Sequence, residues 1–215
     1  MSSGGAWATA AALGAFHGLN PAMGWLFAVA LGLQEKRRGA VLAALVPIAL
    51  GHAASVAIVA LALAGLGLTV PPRSLRLASA GILIAFGLFR LARPFAHPRW
   101  VGMRVGFRDL VLWSFLMASA HGAGLMLAPV FLGGMTELPP NGLTHGHAHL
   151  PMDAGIVAVH TAAMLLVMGA IALAVYQTLG LAILRRAWIN VDLLWAGALI
   201  AVGVAMLVQA IVMHG

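Results

Sequence analysis

Four histidines stand inside long apolar stretches of this chain, in the contexts Phe16-His17-Gly18, Gly51-His52, Ala120-His121-Gly122 and Val159-His160-Thr161. Burying an imidazole in hydrocarbon is costly, so a histidine at such a place ordinarily faces a bundle interior, a cavity or an ion path. Its neutral ring nitrogen is also a general ligand for first-row transition metals. His17 and His52 are separated by much the same length of chain as His121 and His160, so the four read as two matched pairs. Asn20, one helical turn from His17, adds an amide at the same level. The constellation expected to hold a metal ion is therefore His17, Asn20, His52, His121 and His160. The plain rival is that each histidine packs between helices and bonds to a neighbouring carbonyl.

Several neighbours refine this reading. Pro21 has no N–H, which is expected to leave the carbonyl of His17 without its helical partner and open to a ligand or water. Pro47 and Pro129 are expected to free the carbonyls of Ala43 and Leu125 in the same way, placing broken helices in both parts of the chain. Gly14 and Gly18 bracket His17, while Gly51 and Ser55 bracket His52; small residues so spaced let helices approach closely. Met23, Met126 and Met164 follow His17, His121 and His160 within two turns and are candidate soft ligands of the kind that suit Cu(I). Methionine also simply fills apolar gaps. The run Thr144-His145-Gly146-His147-Ala148-His149 is a short His-rich tract, expected to gather metal outside the membrane. Glu35, Asp109, Glu137, Asp153 and Asp192 all fall in loops or near the ends of apolar runs, so no carboxylate is expected at mid-membrane. An ion held by neutral imidazoles alone keeps its full charge in a low dielectric. Asp153, about two turns before His160, is the carboxylate best placed to reach a vestibule.

The elements that must position these residues follow from composition. Hydrophobic residues make up 62% of the 215 and charged residues 8%, and the mean hydropathy is +1.02. Too little polar surface is present to wrap a soluble core, so the chain is expected to be an all-α integral membrane protein. Six apolar runs approach the roughly 20 residues that a spanning helix needs: 6–33, 40–66, 74–92, 109–133, 154–184 and 190–212. Of the 12 Lys and Arg, all but Arg73 and Arg76 fall between runs one and two, three and four, or five and six. The positive-inside rule puts those loops in the cytoplasm and both termini, with the loop 136–153, on the other side of a cytoplasmic (inner) membrane. No Lys or Arg precedes Lys36, so the first run lacks the basic start of a secretory signal and is kept as a span. Three spans per half insert the second half upside down relative to the first, the inverted arrangement that puts transporter sites at the repeat interface. The expected organisation is thus a three-helix repeat at 1–93, a basic cytoplasmic linker at 94–108 with Pro94 and Pro98, and a second three-helix repeat at 109–215. The net charge of +7 is a topology signal here, with no nucleic acid implied. The chain has no cysteine, which excludes disulfides and thiolate sites.

Two of the motifs resemble those of the nickel/cobalt permeases within the wider superfamily of small three-plus-three transporters that includes the lysine exporters. In that group the first helix carries His-x4-Asp-His and the next carries Leu-Gly-His followed by small and β-branched residues. Here His17-Gly18-Leu19-Asn20-Pro21-Ala22-Met23 stands at the first position and Leu50-Gly51-His52-Ala53-Ala54-Ser55-Val56 at the second. Ala22-Met23 replaces the family's Asp-His, and the likeness covers chiefly residues 14–60. The resemblance implies a transporter fold with His17 and His52 at its site; His121 and His160 come from the repeat alone.

The function expected is membrane transport of a transition-metal ion of the copper, nickel or cobalt type, bound as cargo at a His-lined mid-membrane site with no organic cofactor. The alternative is a permease or exporter of a small organic solute, with the histidines as a proton relay. An intramembrane metal enzyme or a metallocentre assembly partner ranks below both. Enzymes of that kind carry tight His-x2–4-His clusters at the membrane face, and the one tight cluster here lies in the outer loop.

Overall fold

A computed structural model of the chain describes residues 3–67, 69–92, 106–134, 150–178 and 191–212, and every regular element among them is helical. In order these are α1 (Ser3–Leu19), a short 3₁₀ turn (Pro21–Met23), α2 (Trp25–Glu35), α3 (Arg38–Gly67), α4 (Pro72–Ala92), α5 (Phe107–Ala120), α6 (Ala123–Met126), α7 (Ala128–Gly134), α8 (Leu150–Thr178) and α9 (Val191–Val212). Four of them, α3, α4, α8 and α9, are long and apolar enough to cross a membrane. At 1.5 Å per residue, the 30 residues of α3 extend about 45 Å, against a hydrocarbon core of about 30 Å.

The first and fourth expected spans are each divided. Between α1 and α2 the chain passes through Asn20, the 3₁₀ turn and Gly24 at φ 121°. Between α5 and α6 it turns at His121 and at Gly122, whose φ is 68°. Both backbone angles at glycine lie in the left-handed half of φ space, where a Cβ is disfavoured. The second break is therefore made by Gly122, and the expectation that Pro129 makes it is corrected. Pro129 sits in the first turn of α7, where a missing N–H costs nothing. Leu125 and Gly124 both turn their carbonyls toward the N–H of Leu127. Pro47 lies inside an uninterrupted α3. The second half's first helix begins two residues before the expected 109: Gly106 donates its N–H to the Asp109 carboxylate at 2.9 Å, so α5 is under way by Phe107. At the other end, Asp153 belongs to the first turn of α8.

Packing is by pairs: α1 lies along α8, α3 along α5, and α4 along α9, with α3 also meeting α8. Small residues make this closeness possible. A Cβ on Gly14 would overlap the backbone carbonyl of His160, and one on Gly51 would overlap the carbonyl of Val111 and crowd Phe115 N at 2.8 Å. Polar side chains seal the α3–α5 contact: Ser114 Oγ donates to the Ile48 carbonyl at 2.7 Å, and Ser55 and Ser119 hydroxyls meet at 2.9 Å. Outward-facing Leu42, Val46, Leu50, Ile58 and Leu61 are all exposed, a periphery suited to lipid.

Candidate functional site

The broken α1–α2 segment and the α3–α8 contact bring three of the four histidines together. His17 ends α1 in its last turn, His52 sits halfway along α3, and His160 sits in α8 against Gly14. All are shut off from the surroundings, with 0% exposure for His17 and His160 and 1% for His52. Their ring centroids are 5.4 Å apart for His17 and His52, 4.8 Å for His17 and His160, and 5.3 Å for His52 and His160. His52 Nε2 and His160 Nε2 are 3.2 Å apart.

Backbone carbonyls set the tautomers. The Leu13 carbonyl is 2.8 Å from His17 Nδ1 and the Ala10 carbonyl is 3.2 Å from His160 Nδ1. A carbonyl only accepts, so in each neutral ring Nδ1 carries the hydrogen and Nε2 presents a lone pair. That is the tautomer in which a histidine serves as an Nε2 ligand, its other nitrogen anchored by the protein. His52 Nε2 must then donate to His160 Nε2, and His52 Nδ1 is left buried with no hydrogen-bond partner, as is His17 Nε2. Both anchoring carbonyls belong to α1, so one helix orients two of the three rings.

The fourth histidine has its ring contact with Trp195. His121 donates from Nδ1 to the Met117 carbonyl at 2.8 Å and lies edge-on to Trp195, with centroids 5.8 Å apart. Trp195 of α9 donates Nε1–H to the His121 carbonyl at 2.6 Å, stacks on Phe16 at 5.2 Å, and meets His17 edge-on at 4.3 Å. Sequence reasoning missed Trp195, because a lone tryptophan near a helix start reads as an interface anchor. Thr161, beside His160, is also buried with its hydroxyl unpartnered, and nothing in its spacing announced it.

The remaining expected ligands are placed differently. Asn20 is 2% exposed, but its Oδ1 caps the 3₁₀ turn by accepting from Ala22 N at 2.9 Å, leaving Nδ2 buried without a partner. The His17 carbonyl is not open: the N–H of Asn20 donates to it at 3.1 Å, so the break replaces the bond that Pro21 removes. Met23 and Met164 pack with Met168, Ile48 and Val29 in one apolar cluster, whereas Met126 lies in another with Leu127 and Leu199. His145, His147 and His149 lie outside the described residues. Asp153 lines an apolar cleft of about 360 Å³ between α3 and α8, with Ala57, Ala60, Leu61, Ala154 and Val157. Among the described residues, no group of three or more His, Asp or Glu side chains is placed so that it could hold a metal ion.

Fold and site together define a helical protein of membrane type, with a buried imidazole cluster between its broken and continuous helices. Comparison with known protein families, curated proteins and solved structures returns no match.

Proposed function

We propose that the chain is a transporter in the cytoplasmic membrane whose cargo is a transition-metal ion held by His17, His52 and His160. The observation that carries this reading is the convergence of three imidazoles from three different helices. Two imidazole nitrogens bound at about 2.0–2.1 Å to one tetrahedral ion stand roughly 3.3 Å apart, and their ring centroids roughly 5 Å apart. The 3.2 Å between His52 and His160 nitrogens and the 4.8–5.4 Å among the centroids match that spacing. His17 completes the set when its ring turns to aim Nε2 at the pair. Asn20 Nδ2 and Thr161 Oγ1 are the nearest unspent polar groups in sequence to these ligands. His17 and His121 both stand at the C-terminal ends of helices that stop mid-course, where the helix dipole is negative and favours a cation. That supplies part of the compensation that a mid-membrane carboxylate would otherwise give.

In this reading the divided α1–α2 and α5–α7 segments act as spans one and four, giving six spans in two inverted halves with both termini outside. The chain catalyses no covalent chemistry, and His145, His147 and His149 collect metal on the outer side. The Asp153 cleft lies on that same side, lined by residues that follow His52 on α3 and precede His160 on α8. The test replaces His17 and His52, singly, by Ala and measures uptake of, or resistance to, copper, nickel and cobalt in cells with matched protein levels. Loss of flux in both variants is expected, and unchanged flux in either overturns the site.

One observation favours the organic-solute alternative: the His52–His160 nitrogen contact is also a hydrogen bond along which a proton passes. Elemental analysis of purified protein separates the two, since a solute permease carries no stoichiometric metal.

A further inference from the structure

The four histidines are unequal in a patterned way. His17 and His121 share one local design: each bonds Nδ1 to the carbonyl four residues earlier at 2.8 Å, and each stands where a helix stops. Yet His17 has joined the His52–His160 pair, while His121 is set against Trp195. The helix contacts carry the same exchange. α1 lies along α8 and α5 lies along α3, so swapping the halves turns one contact into the other, while α3 with α8 and α4 with α9 map onto themselves.

A second asymmetry sits inside the central pair. His160 Nδ1 is anchored by the carbonyl of Ala10, seven residues before His17. The residue seven before His121 is Ser114, on α5. Ser114 packs against α3 beside Gly51, the residue preceding His52, and bonds to the Ile48 carbonyl. His52 Nδ1, which carries the ring hydrogen once Nε2 binds an ion and can then donate to the Ser114 carbonyl, is buried and lacks a partner. One half of the exchange is thus made in this structure, and the other half is unmade at the corresponding atom.

We propose that His52 and His160 are a permanent ligand pair and that His17 and His121 alternate as the third ligand, one in each access state. This rests on the transporter reading above and on its inverted halves. When the halves exchange conformations, α5 moves as α1 does now: His121 joins the pair, the Ser114 carbonyl anchors His52 Nδ1, and His17 withdraws. Trp195 links the two alternating histidines, holding the His121 carbonyl by its N–H and the His17 ring by its edge. An ion passed this way stays on the two central imidazoles while the third ligand changes, so it is not released into hydrocarbon during the change of access.

Equilibrium binding of Co²⁺ to purified full-length protein, paired with Co²⁺ flux into proteoliposomes, tests this. His121→Ala is expected to bind Co²⁺ as the unaltered protein does and to lose flux. His17→Ala must draw on the other state; with that state populated at roughly 0.1–10%, binding weakens by roughly ten- to a thousandfold but stays saturable, and flux is lost. The double variant His17→Ala/His121→Ala is expected to bind no Co²⁺. Undiminished flux in His121→Ala, loss of binding in that variant, or a double variant that binds as well as His17→Ala overturns the alternation. Absence of Co²⁺ binding in the unaltered protein, or full binding by His52→Ala, instead overturns the metal-transport reading beneath it.

Discussion

A methyl group at Gly14 would overlap the carbonyl of His160, and the two helices that meet there also carry the Ala10–His160 bond. Gly14→Ala must push α1 and α8 apart, and overpacking of this kind costs about 1–3 kcal/mol. The expected result is a lower unfolding temperature in detergent, together with weaker Co²⁺ binding as the His160 ring loses its anchor. Trp195→Phe tests a different bond. The ring contact with Phe16 survives, but the His121 carbonyl loses the N–H that now reaches it at 2.6 Å. Losing that buried hydrogen bond costs about 0.5–1.5 kcal/mol, which thermal unfolding of the purified variant measures. At this scale the sequence was most readable for the histidines, whose cost in hydrocarbon marks them wherever they occur. His17, His52 and His160 do meet. Trp195 was not readable, since nothing in its spacing tells an interface tryptophan from one folded inward to a carbonyl on another helix.

Helical elements followed apolar run length closely, while their interruptions did not. Asn20-Pro21 marked the first break because a missing N–H and an Asx cap are local chemistry. The second depends on Gly122, one of 26 glycines, and only its φ of 68° separates it from those inside helices. Gly122→Ala is expected to cost about 1–2 kcal/mol, the penalty of a Cβ in the left-handed region. Gly197→Ala, on α9 with nothing near its would-be Cβ, should leave stability unchanged or slightly raised. Comparing the two in the same thermal assay isolates backbone strain from volume; equal losses would show that Gly122 is not held in that conformation. Pro129 taught the converse, since a proline one residue into a helix is a start signal and only its context says so.

Across the whole molecule, the helix pairs α1 with α8, α3 with α5, and α4 with α9 interleave the two parts of the chain, so neither is a free-standing bundle. The expected sidedness can be measured directly because the chain contains no cysteine. A single cysteine at Thr69, between α3 and α4, should react with an impermeant thiol reagent added to intact cells. One at Lys36, between α2 and α3, should react only after the membrane is opened. The reverse pattern would turn the topology over and with it the outward position of His145, His147 and His149.

Apolar run length, basic loops and the price of buried imidazole belong to each residue and its near neighbours, so the helical character, the apolar helices and the candidate histidines were legible in the sequence alone. Which histidines share a site was not, because that depends on how closely helices far apart in the chain approach. Gly14 lets α8 reach α1 and Gly51 lets α5 reach α3, while Trp195 takes up His121. Four similar residues in sequence therefore become a trio and a fourth set against Trp195, a division made by packing between segments that no local pattern encodes.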